Sequence, residues 1–235
     1  MAHFAGQGNT PTLGFERCGA KLNENAVIER TRIKICGLTD PDMAVRAAQA
    51  GADAIGLVSH MSSPRHVAPT QAAQIASALP AFVSVVALFV DADPQFVRDF
   101  IAVVKPDVLQ FHGEESPTYC RQFGHPYIKA MRMQAGVDLV QYAIQYADAK
   151  GLLLDAWVPG MAGGTGAMFD WSLIPPNIAL PVILSGGLDA NNVGAAIRQV
   201  RPWAVDVSSG VERVKGVKDA MKIAQFIIEV QHAQK

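Results

Sequence analysis

Eight times between Arg32 and His232, a short apolar run of strand length is followed by a segment with helical spacing or helix-start chemistry. Strands are expected near 32–36, 53–58, 83–90, 107–112, 127–133, 151–156, 181–185 and 204–207. Helices are expected over 41–50, 70–79, 94–104, 116–123, 138–147, from 169 to 174, over 191–200 and over 218–232. The strand runs lack strict polar alternation, which is the signature of a parallel sheet covered by helices. Eight such units in about 200 residues fit a closed (β/α)8 barrel, a TIM barrel. An open doubly wound sheet would place G-x-G-x-x-G after its first strand, and no such run follows Cys36.

Composition narrows the function classes. A formal net charge of −1, with 17% charged and 50% hydrophobic residues, argues against a nucleic-acid surface or an electrostatic membrane anchor. No run of about 18 apolar residues is present, so no transmembrane helix is expected. Three cysteines, at 18, 36 and 120, are too scattered for a disulfide framework or a zinc site, and no His/Asp cluster suggests another metal. A reducing cytoplasm is the expected location. Residues 1–31 carry no clear periodicity and read as a loosely ordered extension, leaving 32–235 as the barrel domain.

In such a barrel the chemistry sits at the carboxyl ends of the strands. The first strand ends Lys34-Ile35-Cys36-Gly37, and side-chain alternation puts Lys34 and Cys36 on one face. Thr39 or Asp40 can cap the next helix, with Pro41 in its first turn. The sixth strand ends at Asp155 after three leucines, where a carboxyl needs a partner or a function. Strands one and six stand on opposite sides of an eight-stranded ring, so Cys36 and Asp155 could flank a substrate. Gly163-Gly164-Thr165-Gly166, Gly186-Gly187 and Ser208-Ser209-Gly210 cluster after strands six, seven and eight, a common phosphate position. Ring closure makes strands one and eight neighbours, and Asp206 is the expected partner of Lys34 beneath that site. His112 reads as a structural hydrogen-bonding group and Glu114 and Glu115 as helix-start carboxylates. Cys120 reads as core.

Taken in order, the motifs resemble those of the phosphoribosylanthranilate isomerase family. They are Lys34-Ile-Cys-Gly-Leu-Thr39, Ser63-Pro-Arg-His-Val67, Leu109-Gln-Phe-His-Gly-Glu114, Leu153-Leu-Asp-Ala156, Gly163-Gly-Thr-Gly166, Leu184-Ser-Gly-Gly-Leu188 and Val205-Asp-Val-Ser-Ser-Gly-Val-Glu212. The resemblance implies an Amadori rearrangement in tryptophan biosynthesis, without cofactor or metal. By the same resemblance Cys36 is the general base, Asp155 the general acid, and Arg65 the holder of the anthranilate carboxylate. Gly164, Gly186, Gly187, Ser208, Ser209 and Gly210 then bind phosphate, with Asp206 counted among the substrate-binding residues. The partner is a small phosphorylated molecule, and the protein a monomer or homodimer. A related histidine-pathway isomerase would carry an aspartate at Cys36, and a non-catalytic binder would not need both Cys36 and Asp155. Ala167, where a basic residue is common, and His60-Met-Ser62 depart from the family pattern.

Overall fold

The computed structural model describes residues 30–134, 136–156 and 168–234. The elements run β1 (Arg32–Cys36), α1 (Pro41–Ala50), β2 (Ala54–Val58), α2 (Pro69–Ala78), β3 (Ser84–Phe89), α3 (Pro94–Val104), β4 (Val108–Phe111), α4 (Pro117–Arg121), β5 (Tyr127–Met133), α5 (Leu139–Gln145) and β6 (Leu152–Ala156). Then come β7 (Val182–Leu184), α6 (Val193–Val200), β8 (Ala204–Val207), a hairpin of β9 (Glu212–Val214) and β10 (Val217–Lys218), and α7 (Ala220–His232). Strands β1 to β8 form a closed parallel barrel in sequence order. Closure is the β1–β8 pairing, which sets Lys34 beside Asp206 in register.

Local chemistry fixes the boundaries. Asp40 caps α1 by accepting from the Met43 amide at 2.9 Å, Pro41 fills the first turn, and Gly51 ends the helix at φ +114°. Asp93, Ser116, Asp138 and Asp219 cap α3, α4, α5 and α7 in the same way. Asp53 and Asp107 accept the amides of Ile33 and Val85 at 2.8 and 2.7 Å, tying each strand entry to its neighbour.

Two expectations need revision. Among the described residues, the segment after β6 contains only a 3-10 turn, Trp171–Leu173; Pro175 and Pro176 prevent its continuation as an α-helix. Lys218, expected to open the last helix, lies on β10 opposite Glu212 instead. The turn between β9 and β10 uses Gly216 at φ +84°, a conformation glycine adopts without steric cost.

Inward-facing residues make two zones inside the ring. Val86, Ile128, Ala130, Leu153, Ile183 and Ala204 form an apolar floor. Further toward the carboxyl ends stand Lys34, Cys36, Gln110, His112, Asp155 and Asp206, all buried. Strand parity therefore holds around the whole ring, and Lys34 and Cys36 share the inner face. Among the described residues, no helix is long and apolar enough to cross a membrane.

Candidate active site

The polar zone opens into a cavity of about 750 Å³ at the carboxyl ends of the strands. Cys36, Arg65, Asp155, Gly186, Gly187, Asp206, Ser208 and Ser209 all line it, with His60, Gln110, His112 and Glu212. Strands β7 and β8 stand between β6 and β1 in the ring. Cys36 and Asp155 are thus not diametrically opposed; they bracket the arc from which Gly186-Gly187 and Ser208-Ser209 project. Gly210 is not among the lining residues, and its α-carbon packs against the Leu188 carbonyl. Gly164 and Ala167 lie outside the described residues.

Cys36 sits among Val58 and Leu88, with Lys34 two residues back. Burial pushes its thiol pKa up; Lys34 and Lys218 pull the other way, and Asp206 adds to the rise. Lys34 Nζ donates to Asp206 Oδ1 at 2.7 Å, and both side chains are about 5% exposed. Ser185 Oγ donates to the other Asp206 oxygen at 3.4 Å. Burial opposes the Lys34 charge, but Asp206 and Cys36 outweigh it and hold the pKa up at about 12.

Asp155 is held on both oxygens. Its Oδ1 accepts from the Ala156 amide at 2.9 Å, and its Oδ2 lies 3.2 Å from His112 Nε2. The other ring nitrogen of His112 is 2.9 Å from Gln110 Nε2. With Gln110 Nε2 donating to Nδ1, Nε2 carries the proton and the imidazole donates to Asp155; the opposite tautomer reverses both bonds. His112 therefore stands against the acid candidate, a closer involvement than the sequence reading gave it. Gly186 turns at φ +84° directly beside this carboxylate, and a Cβ there would stand 2.6 Å from the Ala156 amide nitrogen.

Arg65 reaches the cavity already engaged. Its Nε and Nη2 donate to the two oxygens of Glu212 at 2.7 and 3.0 Å, a bidentate pair. Lys218 Nζ donates to the same carboxylate at 2.8 Å and to the Ser208 carbonyl at 2.9 Å. Burial alone would raise the Glu212 pKa, but Arg65 and Lys218 hold it down at about 2. Two cations share one carboxylate, so the knot keeps a net positive charge beside the cavity. Burial pushes the Lys218 pKa down, against the pull of Glu212. Glu212 and Lys218 were not singled out from sequence. The usable signal was the Val214-Lys-Gly-Val217 turn, which reads as a hairpin.

A second buried pair braces the loop after β4. Lys129 donates to the Glu115 carboxylate at 3.1 Å and to the Gly113 carbonyl at 2.6 Å. Glu115 also accepts from the amides of Asp91 and Gly113, both at 2.9 Å. Glu115, expected as a helix-start carboxylate, is 4% exposed and holds two loops together.

Fold and site together define an enzyme of the (β/α)8 class working on a small molecule at the carboxyl ends of its strands. A family model described as N-(5′-phosphoribosyl)anthranilate (PRA) isomerase matches residues 33–229. The N-(5′-phosphoribosyl)anthranilate isomerase of Thiobacillus denitrificans is 55% identical over 200 residues, covering 85% of this chain and 98% of that protein. The Dechloromonas aromatica protein of the same name is 53% identical, covering 87% of this chain and 98% of its own. The crystal structure of the Thermotoga maritima phosphoribosyl anthranilate isomerase superposes with a TM-score of 0.79 at 39% identity, covering 86% and 99%. A complex of such an isomerase with reduced 1-(o-carboxyphenylamino)-1-deoxyribulose 5-phosphate superposes at 0.77, with 37% identity and the same coverage. The chain belongs to the N-(5′-phosphoribosyl)anthranilate isomerase family.

Proposed function

We propose that this cavity isomerises N-(5-phosphoribosyl)anthranilate to 1-(2-carboxyphenylamino)-1-deoxyribulose 5-phosphate, with Asp155 as general acid and Cys36 as general base. The observation that carries the role assignment is the placement of these two groups on one cavity, bracketing an arc of small residues. Asp155 gives its proton to the furanose oxygen as the C1′–O bond breaks, leaving an iminium between C1′ and the anthranilate nitrogen. His112, hydrogen-bonded to Asp155, orients the acid before the transfer and supports the carboxylate left after it. The iminium acidifies C2′–H, Cys36 removes this proton, and the electron pair forms the C1′–C2′ double bond while nitrogen becomes neutral. The enol then becomes the C2′ ketone as its hydroxyl gives up a proton and C1′ takes one up, so that the protons balance overall. The sequence is an internal redox shift, and its balance calls for no external oxidant or reductant.

Gly186, Gly187, Ser208 and Ser209 receive the phosphate, and the Arg65 side of the cavity receives the carboxylate. Arg65 arrives preoriented by Glu212, so it binds without first being ordered. Gly210 serves this site by letting the loop close on Leu188, and Asp206 by holding Lys34. The substrate-binding role of Gly164 rests on the family motif alone. The protein works on this small molecule in the cytoplasm, as a monomer or homodimer, without nucleic acid or membrane.

Loss of anthranilate fluorescence on conversion of freshly made substrate tests the assignment. Cys36→Ser and Asp155→Asn should each lower kcat by about 10²–10⁴-fold, the usual scale of a removed general acid or base. Full activity in either variant would overturn that residue's role.

A further inference from the structure

Lys34 is a buried charge for which the reaction above has no direct use. Its side chain is 5% exposed and stands inside the barrel, although a lysine normally extends its ammonium to water. Three observations explain its position. Asp206, its register partner on β8, fixes the ammonium at 2.7 Å. Gly56, the register partner of Cys36 on β2, supplies the space. A Cβ on Gly56 would stand 2.7 Å from Cys36 Sγ and 3.1 Å from Lys34 Nζ, so thiol and ammonium lie within about 6 Å of each other across that gap.

We infer that Lys34 is a positioning residue that sets the ionisation of Cys36, with Asp206 anchoring the ammonium and Gly56 leaving room for both. This rests on the reading of Cys36 as the base. The thiol's other neighbours cannot substitute for Lys34. From β2 and β3 it meets Gly56, Val58 and Leu88, which carry no charge. From β8 it faces the Asp206 carboxylate, which disfavours a thiolate, and from β10 the Lys218 ammonium, which is shared with Glu212. Lys34 is the largest favourable influence on the anion and opposes the burial that penalises it. Asp206 raises the thiol pKa directly, yet it also holds the Lys34 ammonium in its charged form. The ammonium thus stands as a positive charge within about 6 Å of the thiol at neutral pH.

The test measures the rate of Cys36 alkylation by iodoacetamide against pH, read by mass spectrometry of the peptide that carries it. Lys34→Met leaves Asp206 buried without its cation and can fail to fold, so Lys34→Met/Asp206→Asn, which removes both charges, is the decisive variant. Its thiol titration should move up by about one pH unit, slowing alkylation about tenfold below the pKa. The rise of kcat/KM with pH should move by the same amount. A folded double variant with the wild-type thiol titration would overturn the inference. The two readings separate cleanly. An active Cys36→Ser variant removes the base assignment while leaving the alkylation result standing. An inactive Cys36→Ser variant beside an unmoved titration removes the Lys34 role alone.

Discussion

His112 shows how one side chain can serve both protonation states of Asp155, the proposed general acid. Gln110 Nε2 faces Nδ1, and among the described residues Gln110 Oε1 is buried without a hydrogen-bond partner. Such an orphan costs about 1–3 kcal/mol if it stays unpaired. Turning the Gln110 amide over would let Oε1 accept from Nδ1–H, leaving Nε2 free to accept a proton from Asp155. The Gln110–His112 pair can therefore hold Asp155 as a carboxylate after proton donation and as a carboxylic acid before it. Replacement by a residue of similar size without nitrogens tests this. His112→Phe should lower kcat about 10- to 100-fold, change KM less than about threefold, and move the alkaline limb of the kcat profile, where loss of the acid's proton costs activity. A loss confined to KM would make His112 a binding group instead.

The elements around the cavity mouth are joined by the Arg65–Glu212–Lys218 knot, which ties the loop after β2 to the β9–β10 hairpin and the end of β8. Glu212 ordinarily titrates at 4.5 and is held at about 2 in the folded protein. Between these values the unfolded chain binds more protons at this position than the folded one, so stability rises with pH across that window. Urea unfolding followed from pH 2 to 6 should show stability falling as pH drops from about 4.5 towards 2, and Glu212→Gln should remove that part of the slope. The variant should also be less stable at neutral pH by roughly 3–5 kcal/mol, since two buried cations lose their shared anion. A wild-type slope in Glu212→Gln would show that other carboxylates govern the acid transition.

This knot also marks where sequence reading stops. Helix caps and strand parity are local, and Asp40, Pro41, Lys34 and Cys36 fell where spacing put them. The Lys34–Asp206 pair was also within reach, because barrel closure makes strands one and eight neighbours. Arg65 and Glu212 are 147 residues apart, and no periodicity links a loop after the second strand to a hairpin after the eighth. Glu115 is hidden for the same reason: the Gly113 amide is local, but the Asp91 amide comes from the loop after β3 and Lys129 reaches it from the next strand. Short local motifs carry the ring and place Cys36 and Asp155 at strand ends facing its interior. The charge pairs that orient them depend on which loops meet, and that emerges only once the ring is closed.

At the scale of the whole molecule, the barrel separates stability from chemistry along its axis. The apolar floor packs side chains from β3, β5, β6, β7 and β8, whereas Cys36, Val58 and Leu88 form the wall of the cavity above it. Leu153, on the floor, is fully buried; Leu88 is 8% exposed and lines the cavity. The same truncation should therefore have different consequences at the two levels. Leu153→Ala opens a void with no solvent access and should cost about 2–5 kcal/mol. For a chain of this size that corresponds to a fall in Tm of very roughly 4–20 °C. Its kcat at 25 °C should stay within about threefold of wild type, because Asp155 keeps its hydrogen bonds to His112 and the Ala156 amide. Leu88→Ala widens a cavity that already meets solvent, so it should cost less stability, about 1–2 kcal/mol, while loosening the wall beside Cys36 and raising KM. Thermal unfolding and steady-state kinetics on the two variants check the separation. If Leu153→Ala lost activity in proportion to its Tm while Leu88→Ala left KM unchanged, the floor and the catalytic layer would be mechanically one unit, and the division of labour along the axis would not hold.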